Sequence, residues 1–162
     1  MSDSTQFDRF DESEAAAEAI ARLIATAGRD VAVHTRNLEP SIWENPIVIS
    51  ALRAYLTDGA QCNIRILIDE PSALNTGNTR FMAIAQRLSS HVTLRTPDPE
   101  EEQLDHEVVV TDRGGVMKWD LTTRNRGEFA FESRARAQQI LMQFNRVWDR
   151  ARACTELRAL GI

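Results

Sequence analysis

Three short clusters in this chain carry side chains able to do chemistry. His34, Thr35 and Arg36 follow one apolar run, and Asp69 and Glu70 follow the next. An imidazole beside a carboxylate can move a proton, and a guanidinium beside both can hold an anion. The same five residues also read as an ordinary polar rim with an arginine–carboxylate pair. A second cluster, Asp105–His106–Glu107, sets an imidazole between two acids, with Asp112 further along. On a strand, Asp105 and Glu107 face one side and His106 the other. A third cluster, Arg124, Arg126, Arg134 and Arg136, surrounds the aromatic segment GEFAFE. Arginines among aromatics suit phosphate backbones. Glu128 and Glu132 interleave, however, and positions 134 and 136 fall on different faces of a helix, so a solvated surface is expected.

Other chemistries lack their residues. Cys62 and Cys154 are far apart, with no Cys-x-x-Cys and no adjacent histidine. They read as two reduced thiols, not as metal ligands. No phosphate loop, Gly-x-Gly-x-x-Gly, Gly-x-Ser-x-Gly or His-Glu-x-x-His occurs, so no cofactor or metal is expected. The run PDPEEEQLD lacks the spacing of a calcium loop.

The elements that must position these residues follow from hydrophobic period. Residues 1–10 read as a polar, flexible start, and 11–162 as one domain. Asp11 and Glu14 have capping-box spacing ahead of AAAEAIARLIATA, whose Ala16, Ile20, Leu23 and Ile24 share one face, with Gly28 as the C-cap. Val31–His34 is a buried-type strand. Asn45-Pro46 starts a second helix, which ends at Gly59. Ile64–Ile68 is the second strand, Thr79–Leu88 the third helix and Val92–Arg95 the third strand. HEVVVTDRGGVMKWD then reads as a hairpin with its turn at Asp112–Gly115, and residues 127–132 as a further strand. The last helix runs from about Arg134 to Cys154, with Ala137, Ile140, Leu141, Phe144, Val147, Trp148 and Ala151 along one stripe. A β-α-β-α-β start implies parallel strands with right-handed crossovers. The hairpin adds antiparallel strands, so the expected fold is α/β, a mixed sheet with helices on both faces.

Bulk properties bound the function. The 162 residues are 43% apolar and 27% charged, enough for one packed core. A net charge of −5 argues against a general nucleic-acid or anionic-membrane binder. The apolar runs reach about half a membrane span. The start MSDSTQFDRFDESE has no apolar stretch of the secretory kind, so a cytoplasmic protein is expected. The basic residues are 18 Arg and one Lys, Lys118. Residues 1–112 hold 9 basic and 19 acidic side chains, and residues 113–162 hold 10 and 5. This asymmetry either compensates within one fold or makes a self-complementary dimer contact.

Four pieces of the chain carry a family likeness: VAVHTRNL, NIRILIDE, DHEVVVTDRGGVMKW and QQILMQFNRVWDRA. Their order resembles one repeat of the phospholipase D-like (HKD) superfamily over about residues 28–153. Phe144 and Trp148 are similar to the Phe-x-x-x-Trp that ends such repeats. The sequence also resembles a group of small bacterial proteins with this degenerate architecture. The resemblance implies a site of His-x-Lys, four residues, then Asp, followed by Gly-Ser and Asn. Here Asp105 falls at the His position, Glu107 at the Lys position and Asp112 at the Asp position. Trp119 and Asp120 fall at Gly-Ser, and Thr123 at Asn. Starting at His106 instead puts Val108 and Arg113 at the Lys and Asp positions, so neither register restores the set.

The chemistry of the superfamily needs a nucleophilic imidazole and a cation on the phosphate oxygens. Two carboxylates about 6 Å from a phosphate each cost about 3 kcal/mol at an effective dielectric of 20. The reading that follows is a non-catalytic binding or regulatory module with an unidentified small ligand. Because members pair two repeats and this chain has one, the resemblance implies a homodimer or a protein partner. The alternative is a diverged phosphodiesterase or nuclease using His34 or His106 with Arg36. The binding candidates are Arg36, Asp69, Glu70, Asp105, Glu107 and Asp112.

Overall fold

A computed structural model describes residues 7–58, 61–75, 77–101, 103–120 and 126–154. Among the described residues eight strands form one mixed sheet. In chain order they are β1 (Asp8–Phe10), β2 (Asp30–Thr35), β3 (Asn63–Ile68), β4 (Val92–Thr96), β5 (His106–Thr111), β6 (Val116–Asp120), β7 (Gly127–Ala130) and β8 (Arg152–Ala153). Five helices accompany them: α1 (Ser13–Thr26), α2 (Pro40–Trp43), α3 (Pro46–Asp58), α4 (Thr79–Arg87) and α5 (Arg134–Arg150). The order across the sheet is β1-β7-β6-β5-β2-β3-β4-β8. β2, β3 and β4 are parallel, and β5 pairs antiparallel with both β2 and β6. This is the expected α/β arrangement, with β2 beside the hairpin.

Each face of the sheet packs its own core. Val31, Val33, Ile64, Ile66, Ile68, Val109 and Met117 face α1, α3 and α4. Ala32, Leu67, Val110 and Val116 face α5 through Ala137, Phe144, Val147 and Trp148. The two sets alternate along each strand because successive side chains point to opposite faces. Ala16, Ala17, Ala19 and Ala21 are buried on α1 beside Ile20, Leu23 and Ile24. Small residues there let the helix approach the sheet closely.

Several local expectations are corrected. The polar start carries a strand from Asp8, because Phe10 is buried against Trp119 with ring centroids 6.2 Å apart. The rest of that segment, residues 1–6, and Gly59 lie outside the described residues. The Asp11–Glu14 capping box does not form. Glu12 is the N-cap, and the Glu14 carboxylate accepts from Asn45 Nδ2 at 3.1 Å, a tertiary contact that local spacing cannot reveal. The α1 C-cap is Ala27, with extended backbone. α5 stops at Arg150, and the next residues extend to pair with β4, so edge pairing ends the helix early. The segment expected as a loop before Asn45 contains the turn of α2. The hairpin turn is as expected, with Gly114 at φ +90° supplying the left-handed residue. Among the described residues no helix is long and apolar enough to cross a membrane.

Candidate functional site

The parallel pairing of β2 with β3 decides which side chains meet. Thr35 stands opposite Ile68, and the pairing runs on: Asp69 N donates to Thr35 O at 3.1 Å and Glu70 N to Arg36 O at 2.8 Å. His34 and Asp69 are thereby brought together at the carboxyl ends of the strands, where open α/β sheets place their ligands. His34 is only 1% exposed. Its Nδ1 lies 2.6 Å from the His106 carbonyl oxygen, and its Nε2 lies 3.1 Å from both Asp69 oxygens. A carbonyl only accepts, so Nδ1 carries a proton and donates it. Nε2 is engaged by the carboxyl group. Neither nitrogen presents a lone pair to solvent in this geometry.

Arg36 and Glu70 pair at 3.1 Å on the surface. Half-exposed on both sides, this pair contributes little stability. Glu107 is different: it is 4% exposed and turned into the sheet. The Thr35 hydroxyl donates to its Oε1 at 2.6 Å and the Arg36 amide donates to the same oxygen at 2.9 Å. The Thr35 hydroxyl in turn accepts from the Leu38 amide at 3.1 Å. Leu38 is buried at φ 54°, and its carbonyl accepts from Asn78 Nδ2 at 2.8 Å. Glu107 is therefore the latch of the β2–α2 loop. Its cross-strand partner is Trp119, also buried.

The remaining candidates stand elsewhere. Asp105 and Glu107 do not share a face as expected. Asp105 sits at a bend before β5 begins, outside the strand's alternation, and borders a groove together with His106. The His106 side chain points away from Glu107, as strand period requires. Asp112 lies at the other end of β5, about 17 Å from Glu107 along a strand of this length. Its carboxylate accepts from the amides of Gly28 and Arg29, each at 2.8 Å. A Cβ on Gly28 would come within 2.5 Å of Asp112 Oδ2, which is why glycine stands there.

Of the arginine cluster, Arg136 borders the groove under α5, Arg134 borders a cleft with Arg113, and Arg126 lies beside Arg9. Arg124 and Thr123 lie outside the described residues. Cys62 and Cys154 are not joined in a disulfide. Among the described residues no three His, Cys, Asp or Glu side chains gather as metal ligands would.

Sequence reasoning missed two features on the α5 face. Arg65 forks onto Asp30 at 2.9 and 3.2 Å, reaches Asn145 at 2.8 Å, and lies 5.1 Å over Phe144. Arg95 covers Trp148 at 4.4 Å and donates to its carbonyl at 3.0 Å. The second feature is the groove between α5 and the β5–β6 hairpin, with a volume of about 570 Å³. Its polar lining was legible in part: positions 136, 139, 143 and 146 are helically spaced, and Lys118 pairs with Val108 across the hairpin.

The chain adopts a phospholipase D-like fold. It resembles Nuc from Salmonella typhimurium, a phospholipase D family member, with a TM-score of 0.59 at 20% identity, over 93% of this chain and 97% of that one. NucT from Helicobacter pylori matches with a TM-score of 0.59 at 10% identity, over 92% and 100%. TrmBL2, an archaeal chromatin protein whose structure shows a novel mode of DNA binding, matches with a TM-score of 0.63 at 12% identity. That match covers 95% of this chain, which spans only 56% of the archaeal protein. By sequence the chain belongs to a family described as a domain of unknown function, DUF7931, whose model matches residues 12–160. No curated protein matches it.

Proposed function

We propose that this protein is a non-catalytic phospholipase D-like module that binds or regulates, working as a cytoplasmic homodimer or with a protein partner. The observation that carries the reading is the use to which Glu107 is put. At the position where the superfamily keeps a phosphate-holding lysine stands a buried carboxylate, whose Oε1 accepts from both the Thr35 hydroxyl and the Arg36 amide. A group spent in this way neither holds an oxyanion nor is easily removed. Trp119 supports the same reading. A buried indole packed on Phe10 stands where the resemblance implies a small residue.

The competing phosphodiesterase reading needs an imidazole able to attack. His34 has both ring nitrogens engaged, which leaves His106 as the candidate. The decisive assay offers bis-p-nitrophenyl phosphate and short single-stranded DNA to the protein. The expected result is no turnover above blank. Turnover that disappears in His106→Ala or His34→Ala would overturn the non-catalytic reading.

A further inference from the structure

We infer that the groove under α5 is a binding site for a small organic anion, one with a phosphate or carboxylate head and a compact apolar body. This goes beyond the proposed binding role, and it concerns the opposite face of the sheet from Glu107.

The first observation is charge. Acidic residues outnumber basic ones, 24 to 19, in the chain as a whole. Outside the groove four arginines pair with carboxylates: Arg36 with Glu70, Arg65 with Asp30, Arg150 with Glu101 and Arg152 with Asp98. In the groove the balance reverses. Lys118, Arg136 and Arg146 line it with His106, against the single carboxylate of Asp105. Lys118 touches Glu128 only at 3.9 Å, the outer limit of an ion pair, with its side chain 31% exposed. Among the described residues nothing bonds the His106 ring or the Arg136 guanidinium. A cleft lined by one sign of charge between low-dielectric walls concentrates its field on whatever enters.

The second observation is shape and lining. About 570 Å³ suits a small ligand, not a polymer. Val108, Ile140 and Phe144 give apolar wall, and Gln139 and Gln143 on α5 offer amides for orientation. The positive groups and the His106 ring come from three elements: Lys118 from β6, His106 from β5, and Arg136 and Arg146 from α5. They converge on one space, and the apolar wall beside them has no use for a bare inorganic ion. An anionic head with an apolar body satisfies both.

Lys118 is the only lysine of the chain, so acetylation of its ε-amine by acetic anhydride, read by peptide mass spectrometry, reports on one side chain. It also borders a cleft beside Gly127, and Arg136, which lines the groove but not that cleft, tells the two apart. Phenyl phosphate and benzoate serve as probes. Inorganic phosphate, phenol and a single-stranded oligonucleotide are the contrasts. We expect phenyl phosphate or benzoate to slow acetylation at concentrations where phenol and inorganic phosphate do not. In Arg136→Gln the half-protecting concentration should rise about tenfold, the effect of one charge-assisted hydrogen bond. Arg136 is exposed on its helix, so this variant keeps the fold, and Gln139→Ala gives a second, smaller increase. An acetylation rate indifferent to both probes at millimolar concentration would sink the proposal. So would protection that Arg136→Gln leaves unchanged, equal protection by inorganic phosphate, or protection by the oligonucleotide at lower concentration than either probe. The readout needs no turnover, so it fails or succeeds separately from the hydrolysis assay.

Discussion

Glu107 shows how a single side chain is held by the donors around it. The Thr35 hydroxyl and the Arg36 amide both donate to it, so only an acceptor fits. Glu107→Ala leaves two donors without a partner in a buried place, and unfolding in urea should show a loss of about 2–4 kcal/mol. Glu107→Lys, which supplies the residue that the proposed likeness would call for, sets an ammonium against the same two donors. It should lower stability at least as much and produce no phosphodiester cleavage, and a folded, active Glu107→Lys protein would refute the latch. Tyr55, the only tyrosine, gives a second test at this scale. Burial pushes its phenol well above the ordinary value of 10, with the Cys62 sulfur and the carboxylates of Asp112 and Asp30 adding to the effect. A raised folded value means that the phenolate belongs to the unfolded chain. The stabilisation is therefore complete below about pH 10 and declines as pH climbs above it. Ultraviolet titration should register no phenolate until the protein unfolds, and a phenolate signal near pH 10 with the fold intact would contradict the burial.

Among the elements, β5 ties the site together from both of its ends. Glu107 latches the β2–α2 loop, and Asp112 clamps the connection from α1 into β2. Asp112→Ala should speed hydrogen exchange at the Gly28 and Arg29 amides and cost about 1–3 kcal/mol. Gly28→Ala attacks the same clamp, since its methyl would meet the Asp112 carboxylate. The two substitutions together should therefore cost less than the sum of each alone. Full additivity by chemical denaturation would mean that the clamp is not shared. On the other face, Arg65 links β3 to β2 and α5 at once. The strand Ile64–Ile68 displays Arg65 and Leu67 in alternation, and that period was readable. That Arg65 would lie across Phe144 and bond Asn145 was not, because Asn145 is 80 residues away.

For the whole molecule, the charge asymmetry gains a location. The basic portion after Asp112 builds β6, β7, α5 and β8, and the acidic portion builds the rest. Two copies apposed with unlike surfaces would attract, as the proposed homodimer requires. Sedimentation equilibrium should then give a dimer mass that falls toward the monomer as salt rises. A monomer mass at low salt across the concentration range would remove the homodimer and leave only a protein partner.

Local physics in the chain determined much of this protein. Hydrophobic period placed the strands near Val31, Ile64, Val92 and Val109 and the helices between them, and the order of those elements dictated a mixed sheet with helices on both faces. Strand alternation also separated His106 from Glu107. Tertiary structure alone decided what the polar side chains do. Glu107 became a latch because Thr35, 72 residues earlier, arrives beside it, and His34 was immobilised because β3 delivers Asp69. Asp105 left the expected face because the strand begins one residue later. α5 ended at Arg150 because an open strand edge competed for its last residues. Backbone and apolar preferences act over a few residues and are written locally. The fate of a charge depends on which donors and acceptors the finished fold brings within about 3 Å, and no spacing along the chain encodes that.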